Sequence, residues 1–249
     1  MKTVEFSLSY EVNSDCREAK IAAVIVCAGS SSRMHGVDKQ LEKIGTIEIA
    51  VRSMLAFQHN PRVSAIVVAA HKNNMNALQN LIKKHNITKV TDIIEGGSSR
   101  EESVLNGVTC LDDSFDIVLV HDGARPFVSQ SVIENVINAA ASHKAAVCGV
   151  NVKDTVKKVS ADGRVESTLD RGTIVAVQTP QGFSLEVLKT ALFNAEGFLS
   201  QFTDDSAVVE HGGQTVFVVP GDYRNIKITT AEDLLIAKAF FEEYGNEYI

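Results

Sequence analysis

The stretch Ile21-Ala-Ala-Val-Ile-Val26, which runs into Cys27-Ala-Gly-Ser-Ser-Ser-Arg33, decides the fold class. An unbroken apolar run of this length is typical of a parallel strand that is buried on both faces of a sheet. The small residues behind it predict a loop at the carboxyl edge of that sheet, where open α/β sheets bind their ligands. We therefore expect an α/β protein whose first loop faces a ligand.

Helical and extended segments alternate along the rest of the chain. The predicted helices lie at 49–57, 74–85, about 99–110 and after Pro126, and the predicted strands lie at 63–69, 90–94, 117–121 and 145–150. This order favours a Rossmann-like, mostly parallel, doubly wound sheet. The tail predicts a strand over 214–219 and a closing helix over 230–243, with a capping box at Thr229-Thr-Ala-Glu232.

Residues from about 150 to 178 interrupt this alternation. The segments 152–159 and 165–177 look extended, and Ala161-Asp-Gly-Arg164 between them is a turn signal. A hairpin that stands off a sheet has too little core to be stable alone, so we expect it to pack against another subunit. The sequence thus predicts a projecting β-hairpin dimerisation arm and a homodimer.

Composition narrows the class of protein. A chain of 249 residues with 45% hydrophobic and 22% charged residues can form one large domain, which we place at 21–249 after an N-terminal extension at 1–20. The net charge of -7 gives no broad basic surface, which argues against nonspecific nucleic-acid binding. The four cysteines lack metal-ligand spacing, and we expect reduced, mostly buried thiols. Because no secretory signal and no run of about 18 apolar residues is present, we predict a cytoplasmic protein without a membrane span.

The loop Ala28-Gly-Ser-Ser-Ser-Arg-Met34 has the features of a phosphate site. Backbone N–H groups of small residues, with Arg33 and Lys39 nearby, would lie at the carboxyl edge of the sheet. The loop is neither a Walker A motif, which needs GxxxxGK[ST], nor a Rossmann GxGxxG, since Ser31 replaces the second glycine. A surface loop with two solvated cations is the alternative.

A second motif, His121-Asp-Gly-Ala-Arg-Pro126, comes at the end of an apolar strand. Asp122 there suits Mg²⁺, a hard cation that takes one or two carboxylates and completes its shell with phosphate oxygens and water. The alternative is that Asp122 only caps the following turn and pairs with Arg125.

These motifs occur in order with others, and together they resemble the family of 2-C-methyl-D-erythritol 4-phosphate cytidylyltransferases, the CTP-using enzymes of the non-mevalonate isoprenoid pathway. The matching motifs are AGSSSRM at 28–34, Lys39-Gln40, GGSSREESVLNG at 96–107, HDGARP at 121–126, DTVK at 154–157, Asp170-Arg171, TPQGF at 179–183, Thr203-Asp204 with Glu210, and NIKITTAEDL at 225–234. The resemblance spans about 21–240 and leaves the first 20 residues outside.

The resemblance implies a site for CTP, Mg²⁺ and a sugar-alcohol phosphate. The catalytic cations, which would bind the triphosphate and stabilise the charge on its α-phosphate, are Arg33, Lys39 and Lys227. The nucleotide-binding residues would be Ala28, Gly29, Ser30, Gly97, Ser98, Ser103 and Asp122. Arg100 would brace the base-binding loop, and Asp122 would support Mg²⁺. In the resembled family a carboxylate often holds the position of Ser98.

The resemblance also implies an acceptor site that two subunits share. Its substrate-binding residues would be Arg125, Thr155, Arg171, Thr179 and Thr203. Arg171, together with Thr155, would reach the site from the arm of the partner subunit, so that the dimer completes the catalytic site. The alternative for Arg171 is a solvated charge on the hairpin.

The implied reaction needs no covalent nucleophile. The acceptor phosphate is already anionic at neutral pH and would attack the α-phosphorus in line as pyrophosphate leaves. Because no proton must be removed, we interpret His121 as a strand-end residue with a satisfied hydrogen bond rather than as a general base.

Three other functions compete with this one. A ribitol-5-phosphate cytidylyltransferase would share the fold and the chemistry, but Leu169-Asp-Arg171 and Thr203-Asp-Asp-Ser-Ala207 look more like the methylerythritol enzymes. A noncatalytic nucleotide-binding regulator would tolerate the loss of Lys39, Lys227 or Asp122, and all three are present. A Rossmann dehydrogenase needs GxGxxG and an acidic residue at the end of the second strand, and the sequence has neither.

Overall fold

The computed structural model describes residues 19–29 and 39–245, where a seven-stranded sheet lies between two layers of helices. The strands are β1 (Ile21–Cys27), β2 (Lys43–Ile44), β3 (Ile47–Glu48), β4 (Val63–Ala70), β5 (Val90–Glu95), β6 (Ile117–Asp122), β7 (Ala145–Asn151), β8 (Lys157–Val159), β9 (Val165–Thr168), β10 (Val175–Ser184) and β11 (Phe217–Pro220). The helices are α1 (Ile49–His59), α2 (Met75–Lys84), α3 (Arg100–Thr109), α4 (Gln130–His143), α5 (Leu185–Asn194), α6 (Asp205–His211) and α7 (Ala231–Tyr244). The predicted α/β class is confirmed, and each element predicted between 49 and 150 has its counterpart.

The sheet has the strand order β11-β7-β10-β6-β1-β4-β5 and is mostly parallel, as predicted. Strand β1 pairs in parallel with β4 and β6. Its odd-numbered residues join the core beneath α1, α2 and α4, and its even-numbered residues join the core beneath α3, α5 and α6. Because side chains alternate along a strand, burial on both faces explains the unbroken apolar run in the sequence.

Strand β10 runs antiparallel to both of its neighbours, β6 and β7. The sequence pattern does not predict it as a whole, and the expectation that 175–177 belong to the arm is wrong, since they pair with β7. Gln178, Thr179 and Gln181 are buried polar residues of this strand, and Pro180 lies among them. Polar residues and an internal proline both argue against a central strand, which is why the pattern missed it.

The predicted hairpin is present but shorter than expected. Strands β8 and β9 pair antiparallel and form a two-stranded sheet separate from the main sheet. Residues 161–171 are exposed, and Val159 and Val165 expose 55% and 60% of their surface. The structure of one chain leaves the role of this hairpin in dimerisation a prediction.

The capping box of α7 lies one residue later than predicted, at 230–233 instead of 229–232. Thr230 is the N-cap, and its side chain accepts a hydrogen bond from Asp233 N while the Asp233 carboxylate accepts one from Thr230 N. The helix packs on a small third core that includes Ile228. This packing holds the segment that carries Lys227.

Among the described cysteines, Cys27 and Cys148 are buried and Cys110 is exposed. Within residues 19–29 and 39–245, no helix combines the length and the apolar character needed to cross a membrane.

Candidate functional site

The carboxyl ends of β1, β5 and β6 lie at one edge of the sheet and carry the predicted motifs. The Ala28 loop follows β1, the Gly96 loop follows β5, and Asp122 is the last residue of β6. These segments are in close contact, because a Cβ on Gly96 would collide with Ala28 and one on Gly123 would collide with Cys27. The loops therefore form a single site.

Asp122 lies among three cations, and we call Asp122 together with Arg100, Arg125 and Lys227 the Asp122 cluster. Its Oδ1 accepts a hydrogen bond from Arg100 Nε at 3.0 Å, and its Oδ2 lies 2.8 Å from Lys227 Nζ and 3.6 Å from Arg125 Nε. Asp122 is 5% exposed, and a carboxylate so far from water requires charged partners. The pairing with Arg125 that was the alternative for Asp122 is present, together with two cations from distant segments.

The three cations keep Asp122 ionised. Burial by itself would raise the pKa of Asp122, but the charges of Arg100, Lys227 and Arg125 outweigh burial and hold that pKa well below its ordinary value. The site thus carries a fixed negative charge among its cations.

Buried polar groups fix the backbone beneath Asp122. Thr179 Oγ1 accepts a hydrogen bond from Asp122 N at 3.0 Å and lies 3.1 Å from His121 Nδ1. His121 Nε2 lies 3.1 Å from the carbonyl oxygen of Arg125. The interpretation of His121 as a hydrogen-bonded strand-end residue is confirmed. Thr179 is 4% exposed and its hydroxyl serves the strand, while its predicted contact with the acceptor stays a prediction.

Asn225 is a site residue that the sequence pattern did not single out. It is fully buried, donates from Nδ2 to Thr179 O at 2.8 Å, and accepts from Arg125 Nη1 at its own carbonyl at 2.7 Å. It therefore joins the segment that carries Lys227 to β10 and to the Asp122 turn. Its position at the start of the motif at 225–234 is the available sequence signal.

His121 should make stability depend on pH. Burial lowers the pKa of His121 to about 4. The unfolded chain, with an ordinary histidine pKa of about 6.5, binds the proton first, so the free energy of unfolding contributed here is complete above about pH 6.5 and is lost as the pH falls toward 4. We expect His121→Gln to reduce this slope by up to about 1.4 kcal/mol per pH unit in urea unfolding without metal. His59→Gln, which replaces an exposed histidine of α1, is the control. Identical slopes for wild type and His121→Gln would contradict the prediction.

The predicted base-binding loop is closed by its own hydrogen bonds. Gly97 N donates to Ser103 Oγ at 3.0 Å, and Ser98 donates from N and Oγ to Glu102 Oε2 at 2.7 and 2.6 Å. Ser99 caps α3 by accepting from Glu102 N. Glu102 therefore brings a carboxylate to Ser98, where the resembled family often has one. The sequence reasoning missed Glu102, although the S-x-x-E spacing from Ser99 signals such a helix start.

The structure describes Lys39 and Lys227 but not Arg33, the third predicted triphosphate cation. Ser30, a predicted nucleotide-binding residue, also lies outside the described residues. Lys39 is half-buried and precedes Gln40, which is 2% exposed. A Cβ on Gly123 would lie 3.1 Å from Gln40 Oε1, which brings the Lys39 segment beside the Asp122 turn.

The three remaining predicted acceptor residues, Thr155, Arg171 and Thr203, are exposed. Thr155 lies in the arm segment, Thr203 lies just before α6, and Arg171 begins a 3₁₀ turn after β9. Arg171 Nη1 donates to Lys153 O at 2.9 Å, a contact within the same segment. The approach of Arg171 and Thr155 to another subunit's Asp122 cluster stays a prediction.

Two aspartates at the start of α6 complete the site, and the sequence reasoning assigned no role to the second. Asp204 is the N-cap, with Oδ1 accepting from Ala207 N at 3.0 Å and Oδ2 accepting from Gln181 Nε2 at 2.7 Å. Asp205 is 0% exposed, and its Oδ2 lies 2.9 Å from Arg100 Nη1. Burial raises the pKa of Asp205 to about 6, although the charge of Arg100 opposes this shift.

The donor set limits the kind of metal that fits. The part of the chain that the structure describes contains no group of three or more His, Cys, Asp or Glu side chains able to hold a metal ion. Asp122 supplies a carboxylate at the sheet edge, and both of its oxygens face cations. These residues fit a cation that takes most of its ligands from phosphate and water, and they do not fit one held by protein ligands alone.

A cleft of about 510 Å³ lies elsewhere on the molecule, with Asp116, Ile117 and Lys144 among its lining residues. Because Ile117 begins β6 and Asp122 ends it, the cleft lies at the opposite edge of the sheet and is not part of this site.

Comparisons with known proteins agree with one another. The family model described as 2-C-methyl-D-erythritol 4-phosphate cytidylyltransferase matches residues 21–243. A protein of that name from Clostridium novyi (strain NT) is 39% identical over 226 residues, which cover 90% of this chain and 97% of the relative. The Bacillus cereus protein of the same name is 42% identical over 218 residues, which cover 87% of this chain and 96% of the relative.

Solved structures give the same result. The 4-diphosphocytidyl-2C-methyl-D-erythritol synthase of Anaerococcus prevotii DSM 20548 has a TM-score of 0.81 at 30% identity, covering 90% of this chain and 97% of its own. The 2-C-methyl-D-erythritol 4-phosphate cytidylyltransferase of Thermus thermophilus has a TM-score of 0.74 at 27% identity, covering 90% of this chain and 99% of its own.

Proposed function

The chain belongs to the 2-C-methyl-D-erythritol 4-phosphate cytidylyltransferase family, and from this premise we propose how its residues divide the reaction. It is a nucleotidyltransferase that transfers CMP from CTP to 2-C-methyl-D-erythritol 4-phosphate and releases pyrophosphate, in isoprenoid precursor biosynthesis. The observation that carries the assignment of roles is the Asp122 cluster, which gathers three cations at the carboxyl edge beside the loop after β1.

Catalysis in this proposal is electrostatic. The acceptor phosphate is an anion at neutral pH, so its oxygen attacks the α-phosphorus without a general base. The buried, hydrogen-bonded His121 supports this, since neither of its ring nitrogens faces open solvent. Lys39 and Lys227, with Arg33, neutralise the charge that develops as pyrophosphate leaves. The Lys227 side chain is 38% exposed, which leaves it accessible to a ligand while it contacts Asp122.

Mg²⁺ is the cation that we propose, with Asp122 as its protein carboxylate. Mg²⁺ keeps several waters and takes one or two carboxylates in addition to substrate phosphates, which suits Asp122, since the described residues contain no group of three or more metal-binding side chains. When bound, the ion would offset negative charge on the triphosphate.

The two substrates are assigned to opposite sides of Asp122. CTP lies against Ala28, Gly29 and Ser30 after β1 and against Gly97, Ser98 and Ser103 around the start of α3. The acceptor lies against Arg125, Thr155, Arg171, Thr179 and Thr203. The start of α6 supports this division, because it is tied to β10 through Gln181 and contacts Arg100, which in turn contacts Asp122.

We also propose a homodimer in which the arm of one subunit supplies Arg171 to the other. The exposed Val159 and Val165 on the two arm strands support this, since apolar side chains on a thin ribbon gain stability when a second chain covers them. A cytoplasmic location and a single domain at 21–249 after an extension at 1–20 belong to the same proposal. The start of the family match at residue 21 supports that boundary.

The rival functions are not favoured. Ribitol 5-phosphate is the second acceptor to test, but the relatives described above carry the methylerythritol name. A noncatalytic regulator is disfavoured by the Asp122 cluster, whose cations are complete within the described residues.

Pyrophosphate release tests the function directly. The assay combines CTP and Mg²⁺ with methylerythritol 4-phosphate or ribitol 5-phosphate, with ATP, GTP and UTP as controls. Release with CTP and methylerythritol 4-phosphate is expected. Release with ribitol 5-phosphate alone would move the enzyme to another pathway, and no release with any pair would indicate a regulator.

Arg171→Ala should impair use of the acceptor. Loss of a charge-assisted contact with the acceptor phosphate, worth about 1.5–3 kcal/mol, should raise the acceptor KM by about 10-fold to 100-fold and leave the KM for CTP unchanged. Arg164→Ala is the matched control, since Arg164 is an exposed arm arginine that pairs with Asp162 at 2.7 Å. Equal rises in both KM values would contradict the assignment.

Mixed dimers test whether Arg171 acts across the subunit interface. A dimer of one Arg171→Ala subunit and one Lys227→Met subunit contains one intact site if Arg171 acts in the partner. It should then recover about half of the wild-type activity per dimer. No recovery would place Arg171 in its own subunit's site.

A further inference from the structure

The Arg100 guanidinium lies between the buried carboxylates of Asp122 and Asp205, while its buried sequence neighbour Glu101 lies farther off, 3.8 Å from Nη1. Its Nε donates to Asp122 Oδ1 at 3.0 Å, and its Nη1 lies 2.9 Å from Asp205 Oδ2. Asp122 ends β6, Asp205 begins α6, and Arg100 itself begins α3. The two aspartate side chains are 7% and 0% exposed, so water and salt screen these pairs little.

The backbone on either side of Asp205 is tied to β10. Ser206 N donates to Gln181 Oε1 at 3.0 Å, and Gln181 Nε2 donates to Asp204 Oδ2 at 2.7 Å. These bonds tie the first turn of α6 to the buried strand β10. The backbone at Asp205, whose side chain contacts Arg100, is therefore held against the sheet.

Asp205 also balances the charge of the site. Arg100, Arg125 and Lys227 crowd around Asp122, and like charges at such distances repel one another. Asp205 supplies a second negative charge to Arg100 at Nη1, whereas Asp122 contacts Nε. Without the charge of Asp205, the guanidinium would lose one of its two carboxylate contacts near 3 Å.

We propose that Asp205 is a positioning residue that acts through Arg100 to orient Asp122. In doing so it joins the nucleotide-binding segment before α3 to the acceptor-binding segment before α6, an assignment that rests on the proposed function. No substrate contact by Asp205 is involved, since its side chain is fully buried.

Asp205→Asn tests the proposal because it keeps the shape of the side chain and removes its charge. We expect kcat to fall and the KM values for CTP and for the acceptor to rise, with kcat/KM lower by about 10-fold to 100-fold, as displacement of site groups predicts. Glu186→Gln removes an exposed first-turn carboxylate from the neighbouring helix α5 and should keep wild-type values. Lower thermal stability with unchanged kcat and KM per active site would show a merely structural role and overturn the proposal.

A double-mutant cycle with Arg100→Lys separates a role through Arg100 from an independent one. Lysine keeps the positive charge but cannot span two carboxylates with a planar fork. In the Arg100→Lys background, Asp205→Asn should change kcat/KM by less than about twofold, since coupled residues are not additive. Independent losses that multiply would overturn the proposal.

Binding of CTP with Mg²⁺, measured by calorimetry without acceptor, keeps this test distinct from that of the function. An inactive wild type would defeat the proposed function, while weaker CTP binding by Asp205→Asn would still support the positioning role. Equal CTP binding by the two proteins, together with equal turnover, would overturn it.

Discussion

Lys227→Met is expected to lower kcat by about 100-fold to 1000-fold, the range found when a preorganised transition-state donor is removed. Lys227 lies 2.8 Å from Asp122 and is partly exposed at the carboxyl edge, where the α-phosphate would lie. Arg100 and Arg125 still neutralise Asp122 in the variant, so the free energy of unfolding should change by no more than about 1 kcal/mol. Steady-state pyrophosphate release and urea unfolding measure the two effects.

Lys84→Met is a matched control for this substitution. Lys84 is an exposed lysine of α2 that pairs with the buried carboxylate of Glu48 at 3.6 Å, and neither residue has an assigned role in the reaction. Its replacement removes the same charge from a similar pair and should leave kcat unchanged. A near-normal kcat in Lys227→Met would refute the proposal that Lys227 neutralises the charge that develops on the triphosphate. Lys39→Ala and Arg33→Ala test the other two proposed cations in the same way.

Asp122→Asn is expected to lower the free energy of unfolding by about 3–5 kcal/mol and to abolish most turnover. Removing one partner of a buried ion pair leaves the other charge uncompensated, and here three cations would remain without their carboxylate. Because the folded state holds the pKa of Asp122 below its ordinary value, the wild-type advantage is complete above about pH 4. It should shrink as the pH falls below that value, and urea unfolding from pH 7 to pH 3 measures the change.

Glu48→Gln separates lost stability from lost function. Glu48 is also buried and lies within 4 Å of Lys43, Lys84 and His85. Its replacement should destabilise the protein and preserve kcat. If Asp122→Asn and Glu48→Gln lowered kcat to the same extent, the loss would reflect stability rather than a role for Asp122 in the site.

The fold was predictable where burial leaves a pattern. Strand β1 is buried on both faces, which requires the continuous apolar run from Ile21 to Val26. Strand β10 was not predictable in the same way, because Thr179 and Gln181 are polar and satisfy their hydrogen bonds with Asp122, His121 and Asp204. A hydrophobic pattern does not reveal a strand that is stabilised by buried polar contacts.

The candidate site was predictable where its members are neighbours in sequence. Arg125 follows Asp122 by three positions in one turn, and the loop after β1 follows its strand directly. The roles of Glu102 and Asp205 were missed, since a carboxylate at a helix start is usually explained by local capping. The role of Asn225 was missed because its partners Thr179 and Arg125 are distant in sequence. Burial is what distinguishes Asp205 from its capping neighbour Asp204.

The α/β class and the edge of the sheet that carries the site could be read from the order of residues alone, and the ordered motifs indicated the family. Only the folded chain shows that Arg100 and Lys227 contact Asp122 and that Asp205 contacts Arg100. These residues come from the start of α3, the segment before α7 and the start of α6, and the packing of helices on the sheet sets the distances between them. Attraction between charges depends on distance and burial, and spacing along the chain encodes neither of these for residues in separate elements.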